Sequence, residues 1–306
     1  MTAAQAGPDR VGGPPLASSV DAGPTTGRTR LRVDISYDGT DFSGWASQPR
    51  RRTVQAELEE ALARVLREPA ALTVAGRTDA GVHAVGQVAH LDVDTETWST
   101  LEGSLLRRLA GVLPTDVRVR SVRPAPGGFD ARFSAIWRRY VYRIADSRWG
   151  VDPLRRRDTL ATLRPLDDGA MAVAARSLLG ERDFAAFCRR REGATTIREL
   201  QGLDVERAGD VIVISARADA FCHSMVRSLV GSLLAVGEGR RTTDWPSGLL
   251  ASRERVSAVA VAPAHGLTLV EVGYPSDHEL AGRAEQTRQR RDPSVHPPRR
   301  RAVRAR

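Results

Sequence analysis

Within Ala75-Gly76-Arg77-Thr78-Asp79-Ala80-Gly81-Val82-His83 stand an acid, a base, a hydroxyl, a histidine and two glycines. An ionised carboxylate such as Asp79 can serve as a nucleophile or a general base. Gly76 and Gly81 would let the backbone approach a ligand. Arg77 would keep a partly buried Asp79 ionised by opposite charge. Asp beside glycine is equally the ordinary composition of a turn, its carboxylate capping local amides. Residue chemistry alone leaves both readings open. A second group lies in Ala220-Phe221-Cys222-His223-Ser224-Met225-Val226-Arg227, an apolar stretch with His223 and Arg227 one helical turn apart. Arg227 either snorkels to solvent or aims its fork at a phosphate or at Asp79. Tyr140 follows Arg138-Arg139. A strand tyrosine is ordinarily core with a wet tip, while basic residues beside an aromatic also suit base stacking with phosphate contact.

Other chemistries find less support. Asp79, His83 and His90 raise a metal reading, with His223 as a further candidate ligand, but a strand-turn-strand context does not converge ligands at that spacing as a helix would. No metal is expected. No second acid stands out as a glycosidase partner for Asp79. GxGxxG, P-loop and GxSxG motifs are absent, and all 46 basic residues are arginine, which excludes a Schiff-base or Walker lysine.

The elements that would hold these residues can be placed by pattern. Leu31 to Tyr37 alternates as a half-buried strand. Thr53 caps a helix carrying Val54, Leu58, Leu62, Val65 and Leu66 at helical spacing. Strand-like runs at 71–74 and 84–91 flank the Asp79 loop. A helix is expected over 98–109, strands over 117–122 and 136–145, and an irregular, arginine-rich boundary over 146–166. The second half repeats the theme. It reads as a helix over 167–179, a hairpin of 200–205 with 211–216, a long helix over 220–236, a short helix near 243–252 and a last strand over 267–272. Helices and strands alternate in two similar blocks, each of α+β or α/β type.

The chain has 306 residues, long enough for about two domains. It has no run of eighteen apolar residues and no secretory layout, so no membrane span is expected. Two cysteines, Cys188 and Cys222, argue against a disulfide scaffold and fit a reducing cytoplasm. The net charge of +9 favours a polyanionic partner. Residues 1–29 read as a disordered leader, 30–147 and 148–277 as two α/β halves, and 278–306 as a basic disordered tail.

Taken together, the loop Gly76-Arg77-Thr78-Asp79-Ala80-Gly81-Val82-His83, continuing through Gly86-Gln87-Val88, resembles the signature of the tRNA pseudouridine synthase A family. Further segments agree in order: Tyr37-Asp38-Gly39 with Gly44-Trp45, Phe129-Asp130-Ala131-Arg132-Phe133-Ser134, Arg138-Arg139-Tyr140-Val141-Tyr142-Arg143, Phe187, Met225-Val226-Arg227 with Gly231, and Ala264 with Gly266-Leu267. The resemblance spans roughly 30–275. It implies an α+β fold: two pseudo-symmetric α/β halves sharing a largely antiparallel mixed sheet, with a central cleft. It implies a cofactor-free isomerase that converts uridines 38, 39 and 40 of the tRNA anticodon arm to pseudouridine, and a homodimer that binds tRNA across subunits. The family's catalytic aspartate falls on Asp79 and its tyrosine over the target base on Tyr140. Its loop and helix arginines fall on Arg77 and Arg227. Two competing readings are a silent RNA-binding protein of the same fold, which would need no Asp79, and a metal-dependent hydrolase using Asp79, His83 and His90.

Overall fold

The computed structural model describes residues 27–189, 195–252 and 259–289. Its framework is one ten-stranded sheet. Strand β1 (Arg28–Tyr37) is central to the first half. It pairs antiparallel with β3 (His83–Asp94) on one side and with β4 (Val117–Pro124) on the other. The short β2 (Thr73–Val74) adds to β3 just before the Asp79 loop. In the second half β5 (Trp137–Ala145), β9 (Val211–Ala218), β8 (Ile197–Ala208) and β7 (Gly180–Asp183) run antiparallel in that order. The two-residue β6 (Leu160–Ala161) adds to β5 in parallel.

The strand that joins the halves comes from the end of the chain. β10 (Leu267–Gly273) pairs antiparallel with β5 and in parallel with β3, through Thr268 with His83 and Leu269 with Ala84. The Asp79 loop therefore enters the sheet where the halves meet.

Local sequence explains these elements. Leu31, Val33, Ile35 and Tyr37 of β1 are buried at every second position, as a pleated strand requires. Helix α1 (Val54–Leu66) starts at Thr53, whose hydroxyl accepts from the Ala56 amide. Val54, Leu58, Leu62 and Leu66 are buried along one side, each worth about 1.5–3 kcal/mol. The helix expected over 98–109 is two, α2 (Thr95–Leu101) and α3 (Leu105–Val112). Gly103 lies between them, where helix propensity is weakest. Helix α4 (Asp168–Arg176) packs over β8 and against α5 (Met225–Gly237), almost all of which is buried. The one-turn α6 (Trp245–Gly248) follows.

Two boundaries differ from expectation. Helix α5 begins at Met225 rather than near 220, because Ser224 sits at φ 65°, a left-handed conformation that a right-handed helix cannot contain. Residues 219–224 are a loop. The stretch expected to be tail opens instead with a helix, α7 (Leu280–Gln289), packed on the first half. There Ser134 Oγ donates to the Leu280 carbonyl at 3.1 Å, and Arg288 donates to the buried Asp130 at 2.9 Å. Residues 290–306 lie outside the described residues, as do residues 1–26 of the leader. No helix among the described residues is long and apolar enough to cross a membrane.

Candidate active site

The Asp79 loop is held on both sides by main chain and by a small buried network. The Trp45 amide donates to the Thr78 carbonyl at 3.0 Å, and the Gly81 amide to the Phe42 carbonyl at 3.3 Å. Tyr37 Oη and Thr78 Oγ1 are 2.8 Å apart. Gln87, fully buried on β3, donates to the Gly76 carbonyl at 2.8 Å and to Tyr37 Oη at 3.3 Å. Burial pushes the Tyr37 hydroxyl up to about 12, against the opposing hydrogen bonds from Thr78 and Gln87. It remains a neutral fastener. These contacts make the loop a fixed part of the sheet edge and explain why Tyr37 and Gln87 accompany it in the sequence.

Asp79 projects into a cleft of about 1130 Å³, its carboxylate about a third exposed. Among the described residues the lining holds five arginines (Arg77, Arg132, Arg138, Arg189 and Arg227), His223, and Asp79 as its single carboxylate. Such a concentration of one sign draws a polyanion inward. Arg227 Nη1 lies 3.6 Å from Asp79 Oδ2, and His223 Nε2 lies 3.5 Å from Oδ1. Arg227 is held in place because its Nε donates to the Ala262 carbonyl at 2.7 Å, while Ala262 N donates to the Arg227 carbonyl at 3.0 Å. Gly231 makes this possible: a Cβ there would come within 1.8 Å of the Ala260 carbonyl oxygen.

Tyr140 stands on β5 with Arg138 and Tyr142 on the same face. Its ring is 8% exposed and meets Phe221 edge-on at 5.2 Å, the rings 89° apart. Burial raises its hydroxyl well above the ordinary tyrosine range; Tyr37 and Asp79 add to the rise and Arg138 opposes it. The side chain is a neutral phenol at any physiological pH.

The structure brings Asp79, Tyr140, Arg77 and Arg227 to one cleft, with one change in their relations. Arg77 was expected to be the cation beside Asp79. It is exposed instead, and no hydrogen bond or ion pair of its side chain occurs among the described residues. The groups beside Asp79 are the Arg227 guanidinium and the His223 imidazole. His223 reaches it from the 219–224 loop and not as a helical neighbour of Arg227. Phe221 was expected on the apolar face of the long helix, and its role as the edge partner of Tyr140 follows only from the loop that stands in place of that helix's start. Arg138 carried a usable signal: it is two residues from Tyr140 on a buried strand and so faces the same way.

The metal reading loses its geometry. His83 and His90 are seven residues apart on β3, about 20 Å at a rise of about 3.3 Å per residue, too far to share one ion. His83 Nδ1 accepts from the Gly39 amide at 3.0 Å and its Nε2 meets the Arg157 carbonyl at 2.8 Å. His90 Nδ1 accepts from the Ala131 amide at 3.0 Å. No group of three or more metal-ligating side chains occurs among the described residues. Cys188 and Cys222, with Cα atoms 5.7 Å apart, are joined as a disulfide in the cleft wall. This is a single tie between two loops and not a scaffold.

Fold and site together define an α+β protein that presents one carboxylate among arginines at the seam of two similar halves. A family model described as tRNA pseudouridine synthase matches one segment in each half, 35–134 and 174–275. The chain belongs to this family of isomerases. Among its relatives, a protein of Frankia casuarinae is 63% identical over 88% of this chain and 98% of its own length. One from Streptomyces avermitilis is 59% identical, covering 87% and 95%, and one from Streptomyces griseus is 57% identical, covering 86% and 94%. Each of the three is named tRNA pseudouridine synthase A.

Proposed function

We propose that this isomerase converts uridine to pseudouridine at positions 38, 39 and 40 of the tRNA anticodon stem-loop, with Asp79 as its nucleophile. The observation that carries the assignment is the single carboxylate among the described residues of the cleft, set 3.6 Å from Arg227 and 3.5 Å from His223. In the reaction the N1–C1′ bond breaks, the uracil turns, and C5 bonds to C1′. C5 then gives up its proton and N1 gains one, so the balance is redox-neutral and calls for no cofactor or metal. A carboxylate at this point can attack C1′, attack C6 of the base, or stabilise a glycal. Arg227 sets a positive charge beside it. Tyr140, a neutral phenol with its edge fixed by Phe221, stacks on the uracil. Arg77, exposed at the cleft, fills the space left when the uridine leaves its stack. The arginine-lined wall holds the phosphates. A homodimer that binds tRNA across its subunits, acting in the cytoplasm, completes the reading.

The test is tRNA tritiated at uracil C5. Wild-type enzyme should release tritium as the C5 proton leaves, and Asp79→Ala should release none while still binding tRNA. Release by Asp79→Ala at the wild-type rate would refute the assignment of Asp79. No release by the wild type would refute the reaction.

A further inference from the structure

Arg138 is among the most deeply placed charges of the described residues, 6% exposed, and it lines the cleft. Its guanidinium spends its donors on three main-chain carbonyls. Nη2 donates to Ala75 at 2.8 Å and to Arg132 at 3.0 Å, and Nη1 donates to Asp219 at 2.9 Å. Each carbonyl belongs to a different wall of the cleft. Ala75 opens the loop that carries Arg77 and Asp79. Arg132 lies in the turn that the buried Asp130 organises by accepting from the Arg132 and Phe133 amides, each at 2.8 Å. Asp219 opens the loop that carries Phe221 and His223 and leads to Arg227. Two of these walls come from the first half and one from the second. The strand that supplies Arg138 also supplies Tyr140.

We propose that Arg138 is a positioning residue for the isomerisation: its fork sets the distance between the Asp79 loop and the 219–224 loop, and so between Asp79 and its cations. The inference rests on the proposed function. A buried guanidinium is costly unless it is hydrogen-bonded, and three of the five N–H groups of Arg138 are; burial here opposes the charge. A planar fork with five N–H groups can reach three carbonyls in fixed directions. A lysine in the same place carries the same charge on a single nitrogen and cannot span the three walls. If Arg138 merely stabilised the fold, its loss would lower tRNA binding and chemistry together. A positioning role separates them, because the tRNA grips the other arginines while the reacting groups depend on sub-ångström placement.

The experiment compares wild type, Arg138→Lys and Arg138→Gln on C5-tritiated tRNA, measuring tRNA Kd, the single-turnover rate at saturating enzyme, and the folded fraction by circular dichroism. For Arg138→Lys the expected result is a Kd within about threefold of wild type and a rate about 10–100-fold lower. The glutamine variant should fall at least as far. A wild-type rate in Arg138→Lys would overturn the proposal. So would a rate that falls only in proportion to Kd or to the folded fraction. Failure of both variants to fold would overturn it too, by showing that Arg138 holds the fold and not the site. Because the wild type is assayed beside them, an inactive wild type would count against the function, and an active wild type with an equally active Arg138→Lys would count against this inference alone.

Discussion

Replacing Gly44 by alanine should cost both stability and rate, and the structure sets the size of each loss. Gly44 has φ +97°, and a Cβ there would lie 3.0 Å from the Thr78 carbonyl oxygen, 3.1 Å from Ala80 N and 3.3 Å from the Asp79 carbonyl carbon. All three atoms are main chain, so no side-chain rotation relieves them. A side chain at such a φ costs about 1–3 kcal/mol. Reducing the freedom of the unfolded chain returns about 0.4–1 kcal/mol of that. The loop must also give way by a few tenths of an ångström at the next residue's bond, from Trp45 N to the Thr78 carbonyl. The balance is a net loss of up to about 2.6 kcal/mol in urea unfolding, and the displacement of the loop adds to it. A displacement of about half an ångström at Asp79 should slow single-turnover isomerisation about tenfold, since a full ångström can cost a hundredfold. Gly103→Ala is the control: no atom lies within 4 Å of its Cβ position and its φ is not positive, so neither quantity should fall. Wild-type stability in Gly44→Ala would refute the steric argument. A stability loss with an unchanged rate would refute the claim that the 42–45 segment sets the position of Asp79.

Tyr37→Phe removes the hydroxyl between Thr78 and Gln87; unfolding free energy should fall by about 1 kcal/mol, with a few-fold slower single turnover, and unchanged melting would show the bridge is idle. All four tyrosines of the chain have hydroxyls raised by burial, Tyr37 to about 12. Unfolded tyrosines ionise near pH 10, so between about 10 and 12 the unfolded state binds fewer protons and stability drops as pH rises. Tyrosinate absorbance should therefore stay flat through pH 10 in the native protein and rise only with unfolding. Residues 290–306 carry seven arginines against Asp292; deleting them while keeping α7 should leave melting unchanged, weaken tRNA binding and lower the salt slope by up to about 5. An unaltered slope would show that this segment takes no part in binding.

Much of this site could be read in the chain because its parts are local. The glycines, Arg77, Thr78, Asp79 and Gln87 fall within twelve residues, and the flanking strands announce themselves by alternation. What could not be read depends on contacts far apart in sequence. Helical spacing placed His223 and Arg227 one turn apart, and both do approach Asp79, but by different routes. A left-handed Ser224 separates them, and nothing in local propensity favours serine there. It is tolerated because the loop is tied from outside, where Arg189 N donates to the His223 carbonyl at 3.0 Å. The start of α7 was hidden for a similar reason. Its arginine-rich, weakly amphipathic sequence resembles solvated tail until Asp130 supplies a partner for Arg288.

The same distinction bears on how the site works. An acid among arginines would be a poor nucleophile if it were free to rotate into a tight pair with one of them. Here Arg227 and His223 stop at 3.6 and 3.5 Å from separate oxygens, beyond close hydrogen-bond contact. Arg227 stops there because its Nε is committed to Ala262, and His223 because its loop is fixed at both ends. Thr78 and Gly81 anchor the main chain on either side of Asp79. Both groups therefore lie beside the carboxylate without consuming its lone pairs, which attack on a substrate carbon requires. Arg227→Lys tests this point: it keeps the charge but loses the Ala262 anchor, so it should preserve tRNA affinity and reduce the single-turnover rate, and a lysine variant with the wild-type rate would show that charge alone suffices.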